Sequence, residues 1–426
     1  MRFRGNRIAA ALIVLAAAFA GAAIAAAKGP VGLDTTYGEG GVTHVSVPEP
    51  VGSGAGGPYA DAYTFAAADD GSAYMLGNLR SCGSHCRDGR FLVRVDSDGQ
   101  PDAGFAGDGR LELPPGFDYT VLVDPTGRAV IADLQPDRHT VVIRRFKVDG
   151  SLDRGFGKAG AVKVSCRRCG ERFIGLRLLR SPGGRILLVV NVPESHRQSR
   201  VHLFRFRSNG ALDTSFGGAG SSTFASRPSL PRAVSVAADG SVLIAGAGCC
   251  DANHIYVERV DADGTLDRPF DRTVAHSVRQ LSRPGESLTV GAIVPQPGGG
   301  LVVLGGSKGR HGYYLRLDRD GGLATGFGKR GLVRLPHAVL SAVPGLGGAI
   351  FAVGQAKPYG YIAFRVLSDG RLDPAYGGAA GLRVPLAGSP ARAIGAGPGR
   401  VLVSDKGNAF CREACRSHPA IARFLE

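Results

Sequence analysis

At 426 residues the chain has room for two or three ordinary domains, and 44% hydrophobic side chains rule out a disordered polymer. The 65 Gly and 25 Pro, beside only 20% charged residues, point to short strands and tight turns and not to long helices. A formal net charge of +15 favours anionic partners over cationic ones.

The N-terminus reads as an export signal. Arg2, Arg4 and Arg7 form a basic segment, residues 8–20 an apolar one, and Ala25, Ala26 and Ala27 a small-residue cleavage site. An uncleaved anchor competes with this reading, because apolar residues continue to Ala27. The stretch is Ala-rich and only weakly hydrophobic, which favours cleavage. There is no Cys at the cleavage point and no twin-Arg pair. Cleavage after Ala27 removes Arg2, Arg4 and Arg7 and leaves a secreted or envelope-located chain of net charge +12.

From residue 31 onwards one phrase recurs. It reads LDTTYG at Leu33, PDAGFA at Pro101, LDRGFG at Leu152, LDTSFG at Leu212, LDRPFD at Leu266, LATGFG at Leu323 and LDPAYG at Leu372. Its aromatics are Tyr37, Phe105, Phe156, Phe216, Phe270, Phe327 and Tyr376, spaced 68, 51, 60, 54, 57 and 49 residues apart. A period of that size signals one array of stacked or radial units. Departures fall at Pro101, at Ala324 and at Asp271, which replaces Gly.

Each phrase follows a short alternating strand with a central Arg, such as FLVRV at Phe91 or HLFRF at His202, and a hairpin signal, such as Asp98-Gly99 or Asn209-Gly210. Eight residues separate Arg94 from Asp102, Arg145 from Asp153, Arg205 from Asp213, Arg259 from Asp267 and Arg365 from Asp373, while Arg316 meets Ala324. That constant spacing across one hairpin predicts a structural ion pair or turn-fixing bond, with Arg316 unpaired. Upstream of each Arg strand lie a Gly turn and an apolar strand; downstream of each aromatic lies another strand, and a fourth completes the unit. Seven units of four antiparallel strands predict an all-β, seven-bladed propeller over residues 28–426. The chain stops after Arg423 and Phe424, where the missing hairpin and Leu-Asp would follow, and Leu33, Asp34 and Tyr37 supply them. The last blade is therefore expected to close on the N-terminal strand.

The pattern D-G-x-L-D-x-x-F-G, after a strand with a central Arg, resembles the bacterial delta-60 repeat family over residues 31–426. That resemblance implies an exported or surface propeller-like domain, mostly without assigned activity.

If strands run from the inner to the outer edge, the hairpins share one face. The irregular connections share the other, which becomes the candidate binding face. All eight Cys fall in its loops, as Cys82/Cys86, Cys166/Cys169, Cys249/Cys250 and Cys411/Cys415. In an exported chain they read as disulfides, although the CxxC and CxxxC spacings also resemble zinc half-sites. Candidate ligand residues on this face are Arg87, Arg167, Arg168, His196, Arg197, His254, Lys308, Arg310, His311, Lys357, Arg412 and Arg416. A basic face suits a cell-envelope polymer, an acidic glycan, lipid headgroups or another envelope protein. Nucleic acid suits it less, because few aromatics interleave these Arg.

Catalytic signatures are sparse. VDSDG at Val95 and VDADG at Val260 place Gly at the fourth position from the first Asp, where a calcium loop needs it at the sixth, so both read as hairpin turns. No GxSxG, HExxH or GxxxxGK[ST] occurs, and no catalytic, metal or cofactor residue is assigned. The expectation is a monomeric, exported binding scaffold without cofactor. A hydrolase or lyase with a metal or His centre near the central channel is the alternative.

Overall fold

The Asp-Gly hairpins and the alternating strands between them assemble into seven antiparallel sheets in a computed structural model. It describes residues 31–45, 59–82, 86–114, 116, 118–165, 175–195, 198–226, 231–247, 255–279, 288–307, 311–356, 360–386, 392–405 and 419–426. Blade 1, from the inside outwards, is Tyr59–Ala67, Ala73–Cys82, Cys86–Val95 and Arg110–Leu113. Blades 2 to 6 start at Tyr119–Val123, Gly175–Ser181, Ala233–Val236, Leu288–Pro295 and Val339–Pro344, and blade 7 at Arg392–Gly395. Neighbouring innermost strands touch all round, and that of blade 7 touches that of blade 1, so the ring is closed. The fold is a seven-bladed β-propeller, as the repeat predicts.

Closure is made by the two ends of the chain. In blade 7 the strand Ala420–Leu425 pairs with Gly32–Leu33, where Gly32 faces Leu425, and with Val42–His44, where Val42 faces Ala422. Asp34 then receives the Nε of Arg423 at 2.7 Å, which completes an Arg/Asp pair between residues at opposite ends of the sequence. These strands cover the edge that Ala420–Leu425 would otherwise expose at the seam.

The recurring phrase is a turn with a fixed backbone. The residue after the aromatic takes a left-handed conformation at Gly38, Ala106, Gly157, Gly217, Gly328 and Gly377, with φ between 51° and 73°. Blade 4 departs from this. Asp271 follows Phe270 there, and Val274 stands where the other turns place a second left-handed Gly, as at Gly160 or Gly220. Both Cβ atoms disfavour the left-handed turn, and the chain continues into a helix, Arg268–Arg279. That helix, standing where the repeat predicts a further strand after the aromatic, covers the outer edge of the three-stranded sheet of blade 4 with Phe270, Val274, Ser277 and Val278. The Asp271 carboxylate accepts the Arg259 N–H at 3.2 Å, a bond that Gly160 and Gly220 carbonyls supply for Arg145 and Arg205 in their blades.

Seven apolar clusters, among the described residues, sit between successive blades, and each contains one of the seven aromatics. None of those rings is more than 6% exposed. Burying each stabilises the ring by about 2–3 kcal/mol. The Arg/Asp pairs lock the same joints from the hairpin face. The Nε of Arg145, Arg205, Arg259 and Arg365 donates to Asp153, Asp213, Asp267 and Asp373 at 2.9, 2.8, 2.9 and 2.7 Å, and Arg94 is ion-paired with Asp102. The guanidiniums of Arg145, Arg205, Arg259 and Arg423 lie 4.1–4.6 Å from the centroids of Phe156, Phe216, Phe270 and Tyr37. Several of these Arg also reach the hairpin of the next blade, as Arg205 reaches the Ala262 carbonyl at 2.6 Å. Among the described residues Arg316 has no carboxylate opposite it: Ala324 takes the usual backbone bond to the Arg316 carbonyl at 3.0 Å, and the Arg316 side chain keeps the Ser368 carbonyl at 3.2 Å and the face of Phe327.

Candidate functional site

Each innermost strand begins on the variable face and ends at a tight turn on the hairpin face, so the two faces differ in what they expose. On the hairpin face the carboxylates are occupied by turns. Asp96, for instance, accepts the N–H groups of Asp98 and Gln100 at 2.9 and 2.8 Å, which makes VDSDG a hairpin and no cation loop. On the variable face most of the sequence candidates lie outside the described residues. These are Arg167, Arg168, His196, Arg197, His254, Lys308, Arg310, Lys357, Arg412 and Arg416, with Cys166, Cys169, Cys249, Cys250, Cys411 and Cys415. His311 is exposed at the start of a strand in blade 5. Arg87 lies on the backbone of the third strand of blade 1, and the register of that hairpin sets Cys82 directly opposite Cys86. Cα atoms so paired are close enough for a disulfide bridge. Among the described residues no group of three or more His, Cys, Asp or Glu is placed to hold a metal.

The described part of the variable face that is chemically distinctive lies at its centre, where the sequence reading placed nothing by number. Arg177 faces Val189 and Arg392 faces Ser404. Both partners stand five residues beyond their turn glycines, Gly184 and Gly399, so the two Arg occupy one level of the ring. The same level holds Thr64, Thr120, Ala233, Ala292 and Ser341 in the other blades. Arg392 is exposed to solvent yet enclosed by protein, as a side chain facing an open channel is. Enclosure first, and then the positive charge of Arg177, pull its pKa down to about 10, so it remains charged at neutral pH. No hydrogen bond or ion pair restrains it among the described residues.

Arg177 has one acidic neighbour. Asp118, just before the innermost strand of blade 2, accepts the N–H of Leu176 at 3.0 Å and that of Tyr119 at 2.9 Å. Burial pushes its carboxyl up to about 6, against the pull of those two bonds and of Arg177. Further out, between blades 1 and 2, Asp133 receives Arg144 at 2.6 Å and Arg90 at 3.5 Å; the signal for it was an acid inside the apolar strand Ala129–Leu134. At the opposite end of the inner ring Arg180 is fully used. Its Nη1 meets both carboxylate oxygens of Asp69 at 2.8 and 3.0 Å, and its Nε meets the Val123 carbonyl at 2.6 Å.

A family model described as "Domain of unknown function (DUF5122) beta-propeller" matches residues 195–216, which span the third strand, hairpin and aromatic turn of blade 3. That match and the seven-bladed fold fit a propeller repeat family. No curated relative matches. Among solved structures, the polysaccharide lyase Uly1 aligns with TM-score 0.49 and 11% identity over 84% of this chain and 88% of that one. A protein of unknown function from Dyadobacter fermentans DSM 18053 aligns with TM-score 0.43 and 13% identity over 91% and 100%. An alpha-L-arabinanase of Penicillium chrysogenum, complexed with arabinobiose, aligns with TM-score 0.43 and 11% identity over 72% and 92%. Activity does not follow from shape at that distance.

Proposed function

We propose that this chain is an exported propeller scaffold that binds an anionic ligand through its variable face. One observation carries the reading: the recurrent cations of the hairpin face are consumed by Asp carboxylates and carbonyls, whereas at the variable-face mouth the Arg392 side chain has no hydrogen-bond or ion-pair partner among the described residues, and Arg177 has the adjacent Leu176 carbonyl at 3.1 Å and the nearby charge of Asp118. A scaffold that neutralises its enclosed cations on one side and leaves them available on the other is arranged to receive negative charge there. The basic loop residues Arg167, Arg168, Arg412 and Arg416 would extend that surface, and four loop disulfides, Cys82/Cys86 among them, would stiffen it.

The test is retention of the mature protein on an immobilised acidic polysaccharide against a neutral one, over a salt series. Salt-sensitive retention is expected, abolished by Arg412→Glu with Arg416→Glu and unaffected by Arg319→Glu on the hairpin face. Retention that depends equally on Arg319 would contradict the assignment of the face. Intact mass before and after reduction tests the rest: a chain starting at Lys28 with eight Cys labelled only after reduction is expected.

A hydrolase or lyase is the second reading, and Asp118 favours it more than any metal or His centre. A carboxyl held near neutrality beside an Arg, at the mouth of a channel, has the protonation behaviour of a general acid. Incubation with acidic and neutral oligosaccharides, followed by product chromatography, tests it; turnover lost in Asp118→Asn would support it, and intact substrates would exclude it for those sugars.

A further inference from the structure

Two guanidiniums at one level of a closed ring repel one another, and elsewhere the described chain avoids that arrangement. Arg180 has Asp69, Arg90 and Arg144 share Asp133, and the hairpin-face Arg meet their turn Asp; Arg316, without an acid, keeps a carbonyl and an aromatic face. At the variable-face mouth two cations meet, among the described residues, a single acid, Asp118, which acts on Arg177; Arg177 also donates to the adjacent Leu176 carbonyl at 3.1 Å. Arg392 has no compensating partner among the described residues. The planar fork of an Arg, accessible yet surrounded by protein, matches a carboxylate or a tetrahedral oxyanion, and the enclosure strengthens such a bond relative to one in open water. Thr64, half-buried at the same level, adds a hydroxyl donor.

We infer that the variable-face mouth of the channel is an oxyanion site in which Arg177 and Arg392, from blades 3 and 7, hold one carboxylate, sulfate or phosphate group of the ligand. This rests on the reading of the variable face as the binding face and names the group recognised at its centre.

Calorimetric titration of the full mature chain with digalacturonic acid, sodium sulfate and inorganic phosphate tests it, with a neutral disaccharide as control. At least one oxyanion is expected to bind, and the arm that binds separates a carboxylate ligand from a sulfated or phosphorylated one. Arg392→Gln and Arg177→Gln should each weaken binding about tenfold or more. Unliganded Arg392→Gln should keep or raise its thermal midpoint, because a like charge has been removed, whereas a structural Arg would lower it. Arg392→Lys, which keeps charge and loses the fork, should fall between. Affinity in Arg392→Gln within about twofold of wild type would overturn the site. Were acidic-polymer binding then lost in Arg412→Glu with Arg416→Glu, the face reading would survive and the mouth site alone would fail; absence of all anion binding would sink both.

Discussion

Asp213 shows what a single position of the repeat contributes. It is 2% exposed, accepts Arg205 at 2.8 Å and also fixes its own turn through Ser215. Asp213→Ala should therefore cost about 3 kcal/mol, since it strands a buried guanidinium. The natural counterpart is blade 5, where Ala324 already lacks the carboxylate and the turn geometry is retained. Ala324→Asp should raise stability by about 1 kcal/mol in denaturant titration; a loss would mean that Arg316 has been repacked around the Ala. The same pairs set the acid limit. Burial alone would raise the carboxyls of Asp34, Asp153, Asp213 and Asp267, but hydrogen bonds and the Arg outweigh it, bringing Asp213 down to about 2. Their contribution is present above about pH 4 and lost as pH falls towards 2. Asp118 has the opposite sign. Its folded pKa of about 6 lies above the ordinary 3.8, so ionising it lowers stability as pH rises from about 4 to 6. Asp118→Asn should flatten the thermal midpoint over that interval; a steeper fall would contradict the assignment.

At the scale of the element, two kinds of glycine separate backbone freedom from close packing. Gly107 has φ 89° and open space where a Cβ would stand, whereas Gly210 has φ 88° and the Gly157 nitrogen of the preceding blade only 2.8 Å from that position. Gly107→Ala should cost about 1 kcal/mol and Gly210→Ala at least about 2, measured by chemical denaturation, and equal costs would show that the hairpin does not seat against its neighbour. This double duty of the Asp-Gly hairpin is invisible in sequence, where it reads as a turn and nothing more. Strand order and hairpins were legible because seven units repeat them, and the ion pairs because Arg and Asp stand eight residues apart in five of those units. The helix of blade 4 was written in Asp271 and Val274, but only once the left-handed turn they abolish is known. The Arg level of the mouth was harder still. Arg177 and Arg392 each stand seven residues before a turn glycine, Gly184 and Gly399, so a spacing was there to read, but only the register with the second strand shows that this position forms one level of the ring.

For the whole molecule, closure and face asymmetry are the two properties that matter. The ring depends on residues 31–45 packing against the last strand, where Tyr37 is fully buried and Asp34 meets Arg423. Deletion of residues 28–45 should remove cooperative unfolding or leave an aggregating chain, because it exposes a sheet edge and empties one inter-blade cluster; a deletion variant within a few degrees of the full chain would contradict this. The asymmetry carries the proposed function: the hairpin face pairs its recurrent Arg with turn Asp, and at the centre of the variable face Arg392 is proposed to meet a ligand instead. Hydrogen exchange of residues 28–426 with and without an acidic oligosaccharide tests that division most directly. Protection confined to the variable-face ends of the innermost strands, around Arg177 and Arg392, and to the neighbouring loops is the predicted result. Protection centred on the hairpins at Asp98, Asn209 and Asp263, or no protection by any acidic ligand, would contradict it.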